Sequence, residues 1–303
     1  MLAKTILITG SNGLLGQKLV DRLAGRDAVQ LVATSLGVNL NPNATGYVYE
    51  NLDVLDPVAI QAVFEQYQPT EVIHTAAMTH VDRCEQERDQ CRQLNVDSVR
   101  YLVDACRRYG AKIIHVSTDF VFDGESGPYR EKDTPNPLSL YGETKLEGER
   151  IVIESGIPFA IARTMLVYGV VADMSRSNIV LWARKALANE EHINVVNDQF
   201  RSPTLAEDLA EGIILIAMKE KTGLYHISGP RTMSILEMVE EIADFWGYPP
   251  EFIHAIDSQT LNQAAKRPPK TGFIILKAQT ELGYRPHTFR EGLAIVDKQL
   301  TLR

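Results

Sequence analysis

The chain has 303 residues, 45% hydrophobic and 23% charged, an ordinary globular composition that excludes disordered, coiled-coil and collagen-like classes. Acidic residues outnumber basic ones by 39 to 31, and the net charge of −8 argues against a binder drawn to nucleic-acid phosphates or anionic lipid. The three cysteines (Cys84, Cys91, Cys106) cannot all pair and lack zinc-site spacing, so reduced thiols and a cytoplasmic setting are expected.

The first predicted element is a strand over Thr5–Thr9, too short an apolar run for a signal-peptide core. A helical pattern follows over Leu14–Leu23, then a strand over Gln30–Thr34 and a helix over Val58–Tyr67. Next come a strand over Glu71–Thr75, a helix over Val96–Arg108 and a strand over Lys112–Ser117. The alternation continues through a helix over Lys145–Glu154 and a strand over Phe159–Ala162. The strands are β-branched and lack polar alternation, as strands covered on both faces do. Strands and helices alternating at this spacing predict an α/β fold, a doubly wound parallel sheet of the Rossmann type, over residues 1–168.

After Tyr168 the rhythm changes. Helical stretches over Ile179–Ala188, Ala206–Met218, Ile235–Phe245 and Phe289–Leu300 are separated by short strands and proline-containing loops. These predict a smaller, irregular α/β lobe for substrate over residues 169–303, interleaved with the first. The most apolar of these runs, Gly212 to Met218, is far below the ~18 residues a transmembrane helix requires, so no membrane span is expected.

Directly after the first strand stands Gly10-Ser11-Asn12-Gly13-Leu14-Leu15-Gly16. Gly10 makes the tight turn, Gly13 lets backbone approach a pyrophosphate, and Gly16 allows helix to pack on strand. Strand, glycine triplet and helix in this order predict a dinucleotide site. The second strand ends Ala33-Thr34-Ser35-Leu36-Gly37, with no acid to accept from a ribose 2′-hydroxyl. Ser35 can donate to a 2′-phosphate, but no Arg or Lys follows, so NADP(H) and NAD(H) both stay open with a lean toward the former. Asp53 and Val54 bracket an adenine on one reading; on the other, Asp53 makes a local turn ahead of Pro57.

Three further features fall at strand ends, where open α/β sheets bind ligands. Ser117-Thr118-Asp119 closes the fifth strand, Tyr141 and Lys145 share one helical face at i and i+4, and Asn95 lies on the preceding helix. Hydride delivered to a ketone leaves an alkoxide that must receive a proton. A tyrosine beside an ammonium suits that task, because the positive charge favours the phenolate and brings the phenol nearer the working pH. Thr118 then orients the carbonyl, Lys145 also reaches the cofactor ribose, and Asn95 holds a water that links Lys145 to solvent.

These motifs resemble the extended short-chain dehydrogenase/reductases and, within them, the dTDP-4-dehydrorhamnose reductases. The carriers are the Gly10–Gly16 loop, Thr75-Ala76-Ala77-Met78-Thr79-His80-Val81-Asp82, Asn95-Val96-Asp97, Ser117–Gly124 and Tyr141-Gly142-Glu143-Thr144-Lys145. Further on stand Arg163-Thr164, Asp198–Thr204, Tyr225–Gly229 and Arg267-Pro268. The resemblance implies Tyr141 as proton donor, Lys145 as its partner and ribose anchor, and Thr118 and Asp119 against the sugar. It implies Gly13, Leu14, Leu15, Asp53, Val54, Ala76, Ala77, Met78 and Thr79 as cofactor lining, and a 4-keto nucleotide sugar as substrate. Leu166 stands where that family usually carries a tryptophan against the sugar, which changes the pocket's shape and removes an indole donor. A homodimer through helices flanking the sheet is compatible with the resemblance.

Dehydratases on this scaffold place a glutamate directly after the Thr-Asp pair, where Phe120 stands here, and an epimerase is disfavoured by the missing ribose acid. The chain also resembles the regulatory β subunits of methionine adenosyltransferase, a non-catalytic alternative. Arg201 and Arg267, in loops of the second lobe, are candidates to grip a pyrophosphate. His80 is a weaker candidate for substrate contact, whereas His74 and His115 read as buried core residues. Glu143, Glu147, Glu149 and Arg150 read as a solvated helix face. The seven histidines form no H-x-x-x-H pair, so no catalytic metal is expected.

Overall fold

A computed structural model describes residues 4–173, 177–261 and 263–302. Strand β1 (Lys4–Thr9) enters the middle of a parallel sheet and is followed by helix α1 (Leu14–Leu23), β2 (Val29–Ser35), β3 (Val48–Asn51) and α2 (Pro57–Tyr67). Then come β4 (Glu71–His74), two short helices, α3 (Val81–Gln86) and α4 (Arg88–Arg92), and α5 (Ser98–Tyr109). The nucleotide half closes with β5 (Lys112–Thr118), α6 (Leu140–Glu154) and β6 (Phe159–Thr164). The spatial order is β3-β2-β1-β4-β5-β6, with a seventh strand, Gly223–His226, beside β6. The direction of winding reverses between β1 and β4, and that reversal opens a crevice at the carboxyl ends of the strands.

The apolar runs of the strands reflect two buried faces. Ile6, Ile8, Leu31, Ala33, Ile73 and Ile114 pack on one side against Leu19, Val20 and Leu23 of α1. Leu7, Val32, Val72, Ile113 and Ile161 pack on the other against Ile60 and Phe64 of α2 and Val99, Leu102 and Val103 of α5. Asp56 starts α2 by accepting from the backbone N–H groups of Val58 and Ala59, with Pro57 at the first helical position.

The later residues supply α7 (Ile179–Ala188), α8 (Ala206–Met218), α9 (Ile235–Trp246) and α10 (Phe289–Thr301), and three two-stranded pairings. Helices α7, α9 and α10 build a second core around Val180, Met238, Ile242 and Leu293. Helix α8 instead packs on the large sheet beside α1, through Leu209, Ile213 and Ile216. The strand Gly223–His226, which precedes α9, likewise joins the large sheet beside β6. Among the described residues no helix is long and apolar enough to cross a membrane.

Two local expectations change. The helix predicted to begin at Val96 begins at Ser98, after a widened π-turn over Gln93–Asp97 that carries both Asn95 and Val96. Glu149 does not belong to a solvated face. It is 1% exposed and forms a two-pronged ion pair with Arg163 of β6, Nε to Oε1 at 2.8 Å and Nη2 to Oε2 at 2.6 Å.

Candidate active site

The crevice encloses about 630 Å³, within the range of small-ligand sites. One end is the glycine loop. Gly10 has φ of +72°, and a β-carbon there would stand 2.8 Å from the backbone nitrogen of Ala76. A β-carbon on Gly16 would stand 2.2 Å from the Gly10 carbonyl oxygen, so the loop closes on the helix only with glycine at both positions. No side chain caps the start of α1 at Gly13, which leaves the helix terminus available to an anion. Ser35, Asp53 and Val54 line this end, and Asp53 also accepts from Leu55 N at 2.9 Å, the local turn weighed above. Asn12 was not singled out from sequence. It lines the cleft and fixes the loop beyond β2 through Val38 O at 2.8 Å and Leu40 N at 2.9 Å.

The other end is built by α6 and the tip of β5. Ser139 caps α6, the Glu85 carboxylate accepts from Leu140 N at 2.7 Å, and Gly142 lets the helix lie against the Phe120 carbonyl. These contacts present Tyr141 and Lys145, both buried and both lining the cleft, beside Thr118. Lys145 Nζ donates to Val116 O at 2.8 Å and lies 3.4 Å from His115 Nε2. Burial lowers the Lys145 ammonium from 10.5 to about 8, against a raising influence of Glu149. Burial pushes the Tyr141 phenol well above its ordinary value, although the Thr118 hydroxyl draws it down. Desolvation, and not the lowering expected from the ammonium, dominates at the phenol.

Thr118 accepts from Phe120 N at 3.2 Å and lies 3.2 Å from Asp119 Oδ1. Asp119 pairs with Arg201 Nε at 3.2 Å and accepts from Thr271 Oγ1 at 2.5 Å. Burial raises the Asp119 carboxyl, with Arg201 and Thr271 opposing.

Gly10, Gly13, Leu14, Leu15, Gly16, Ala76, Ala77, Thr79, Asp119 and Leu166 also line the crevice. Leu166 does so from a left-handed backbone conformation, φ +40°, uncommon for a side chain of its size.

Five expected residues do not line it. Asn95 spends its amide on other partners: Oδ1 accepts from Met78 N at 2.9 Å, and Nδ2 donates to Met78 O at 3.1 Å and Thr144 Oγ1 at 3.2 Å. It braces α6 and the loop after β4. Met78 packs its side chain with Cys84, Cys91, Leu140 and Tyr141 behind the cleft. Arg201 turns inward to Asp119 and the carbonyls of Phe200, Pro268 and Pro269. Arg267 grips Asp82 at 2.6 and 3.1 Å. Both arginines pair with carboxylates of the chain, Arg201 deeply buried and Arg267 with its side chain 18% exposed. His80 accepts from Arg83 N at the start of α3 and is likewise absent from the lining.

Lys145 is the sole Lys or Arg among the described residues that line the crevice. Ser117 and Thr164 line the crevice, but their hydroxyl oxygens are buried without a hydrogen-bond partner. An uncapped helix start at one end and an ammonium at the other fit a dinucleotide. Among the described residues no cluster of three His, Cys, Asp or Glu side chains is arranged to hold a metal.

The chain matches the model of the family described as RmlD substrate binding domain over residues 4–301. Methionine adenosyltransferase 2 subunit beta from Bos taurus is 33% identical over 297 residues, 96% of this chain and 86% of that protein. The dTDP-4-dehydrorhamnose reductase of Aggregatibacter actinomycetemcomitans is 30% identical over 300 residues, 95% of this chain and 96% of that one. The crystal structure of a dTDP-4-dehydrorhamnose reductase from Bacillus anthracis in complex with NADP superimposes with a TM-score of 0.85 at 28% identity, covering 99% of this chain and 100% of that one. The chain belongs to the RmlD substrate binding domain family and is an oxidoreductase similar to the dTDP-4-dehydrorhamnose reductases, with a Rossmann cleft for NAD(P)H.

Proposed function

We propose that the protein reduces the 4-keto group of a nucleotide-linked sugar, with dTDP-4-dehydrorhamnose as the leading substrate and dTDP-rhamnose as its product. The observation that carries this reading is the buried Tyr141 phenol, one helical turn from Lys145 and lining the same cleft as Thr118. A bound NADH or NADPH supplies hydride. Gly10, Gly13, Leu14, Leu15 and Gly16 would hold its pyrophosphate end, Ser35, Asp53 and Val54 its adenosine, and Lys145 its nicotinamide ribose. Tyr141 gives its phenolic proton to the carbonyl oxygen as that oxygen gains negative charge. Thr118 orients the same oxygen, and the Lys145 ammonium stabilises the phenolate left behind. Val171, Ser177, Asn178 and Leu209, from the later part of the chain, also line the cleft and would face the sugar.

Phe120 follows the Thr-Asp pair, so the second carboxylate that net dehydration needs is missing there. A second reading, a dinucleotide-binding regulatory subunit, is favoured by the 33% identity with the bovine protein. The Tyr141, Lys145 and Thr118 set in one cleft ranks reduction first. The reading goes with a cytoplasmic enzyme of small-molecule substrates, as a monomer or a homodimer. A panel of dTDP- and other nucleotide-linked 4-keto sugars, assayed with NADPH and NADH and with products identified by NMR, tests it. Sustained cofactor oxidation supports reduction; no turnover together with a stable complex with an adenosyltransferase supports the regulatory reading.

A further inference from the structure

The sheet register sets three polar residues side by side on adjacent strands. Thr9 of β1 faces His74 of β4, and His74 faces His115 of β5. All three are buried. Thr9 Oγ1 holds His74 Nδ1 at 2.8 Å, and the two imidazoles stack with ring centres 5.4 Å apart. His115 Nε2 then faces Lys145 Nζ at 3.4 Å. A lysine ammonium has three N–H groups and no acceptor. Val116 O takes one, and an unprotonated His115 Nε2 takes a second.

We infer that His115 is a positioning residue for Lys145, accepting one N–H of the ammonium so that the remaining one is aimed into the cleft. This requires the neutral imidazole with its proton on Nδ1, a nitrogen that is buried without a hydrogen-bond partner. Burial and the Lys145 charge both press His115 well below its ordinary value, with His74 adding to the effect, so the ring stays neutral at working pH. The titratable groups around Lys145 are His115 and His74 on the sheet, Glu149 and Tyr141 on α6, and Cys91 on α4. Of these, His115 makes a hydrogen bond to Nζ. The inference rests on Lys145 serving the dinucleotide and the tyrosine, as proposed above.

An acceptor lost from an ammonium disfavours the charged form. His115→Leu, which keeps bulk without an acceptor, therefore moves the alkaline limb of kcat/KM for reduction to lower pH by about 1 pH unit. Dinucleotide affinity, read by calorimetry, falls off with rising pH over the same displaced range. His115→Gln, whose amide oxygen accepts, keeps the limb near its wild-type position. A merely structural role lowers kcat at every pH and leaves the limb where it was, and that result overturns the assignment. Should His115→Leu not fold, histidine ¹⁵N shifts of the wild-type protein decide. A neutral Nδ1–H tautomer from about pH 5 to about pH 9 supports the inference, and an Nε2–H tautomer or a protonated ring overturns it. Tyr141→Phe separates the two levels: full turnover in that variant defeats the reductase reading, whereas an inactive Tyr141→Phe with an unshifted His115→Leu limb defeats only the role of His115.

Discussion

Replacing Lys145 by methionine keeps the length of the side chain and removes a charge that the fold holds in a 3% exposed position. An unfolded chain loses the lysine proton near 10.5, the folded one near 8, so between those values the unfolded state carries more protons and stability rises with pH. At about 1.4 kcal/mol per pH unit, the folded wild type carries a penalty of about 3 kcal/mol below pH 8, largely gone by about pH 10. Methionine abolishes that penalty but strips Val116 O and His115 Nε2 of their donor, at about 1 kcal/mol each. Lys145→Met is therefore expected to be about 1 kcal/mol more stable than wild type at pH 7 and about 1 kcal/mol less stable at pH 10. Urea denaturation followed by the fluorescence of Trp182 and Trp246 measures both differences. A difference that does not change with pH, or a variant weaker at both values, refutes the claim that the site holds its ammonium against desolvation. The same variant should turn over poorly, which makes the charge a functional requirement opposed to stability.

Tyr141→Phe should cut kcat by about 10²–10⁴-fold while calorimetry finds dinucleotide affinity within about twofold of wild type, because only the transferred proton is lost; an unchanged kcat contradicts the donor role. Glu149→Gln leaves the Arg163 guanidinium 3% exposed and without its counter-charge, and should lower unfolding stability by about 3–5 kcal/mol in denaturant titrations. Leu166→Trp should raise kcat/KM toward dTDP-4-dehydrorhamnose if that is the substrate; a fall indicates a sugar shaped to the leucine pocket.

The features legible in the sequence were those whose geometry is local. Tyr141 and Lys145 share a face because a helix repeats every 3.6 residues, and the span of α6 includes both. Gly10 and Gly16 close the loop because strand, turn and helix follow one another directly. Helices at Leu14–Leu23, Ile179–Ala188 and Ala206–Met218 coincide with their apolar periodicity residue for residue. What the sequence hid was decided by partners far along the chain. Glu149 stands among Glu147 and Arg150 and reads as solvated, yet α6 buries residues on several sides, and only β6 supplies the Arg163 that makes a charge tolerable there. Likewise, the contact between His74 and His115 exists only once the register of β4 on β5 is set.

The two arginines carry this point into function. A guanidinium in a loop near a phosphate site looks like an anion grip, because its forked donors match carboxylate and phosphate equally well. In the folded chain Asp119 and Asp82 take those donors first. Their effect is to fasten the stretch from Ala265 to Thr271 to the tip of β5 and to α3, through Arg201 with Thr271 on one side and Arg267 with Ala265 on the other. One wall of the cleft neighbourhood is thereby pinned without any ligand. Lys145 is the one basic side chain lining the crevice among the described residues and the start of α1 carries no side-chain cap, so on the proposed reading an anionic ligand meets the α1 terminus at one end and the ammonium at the other.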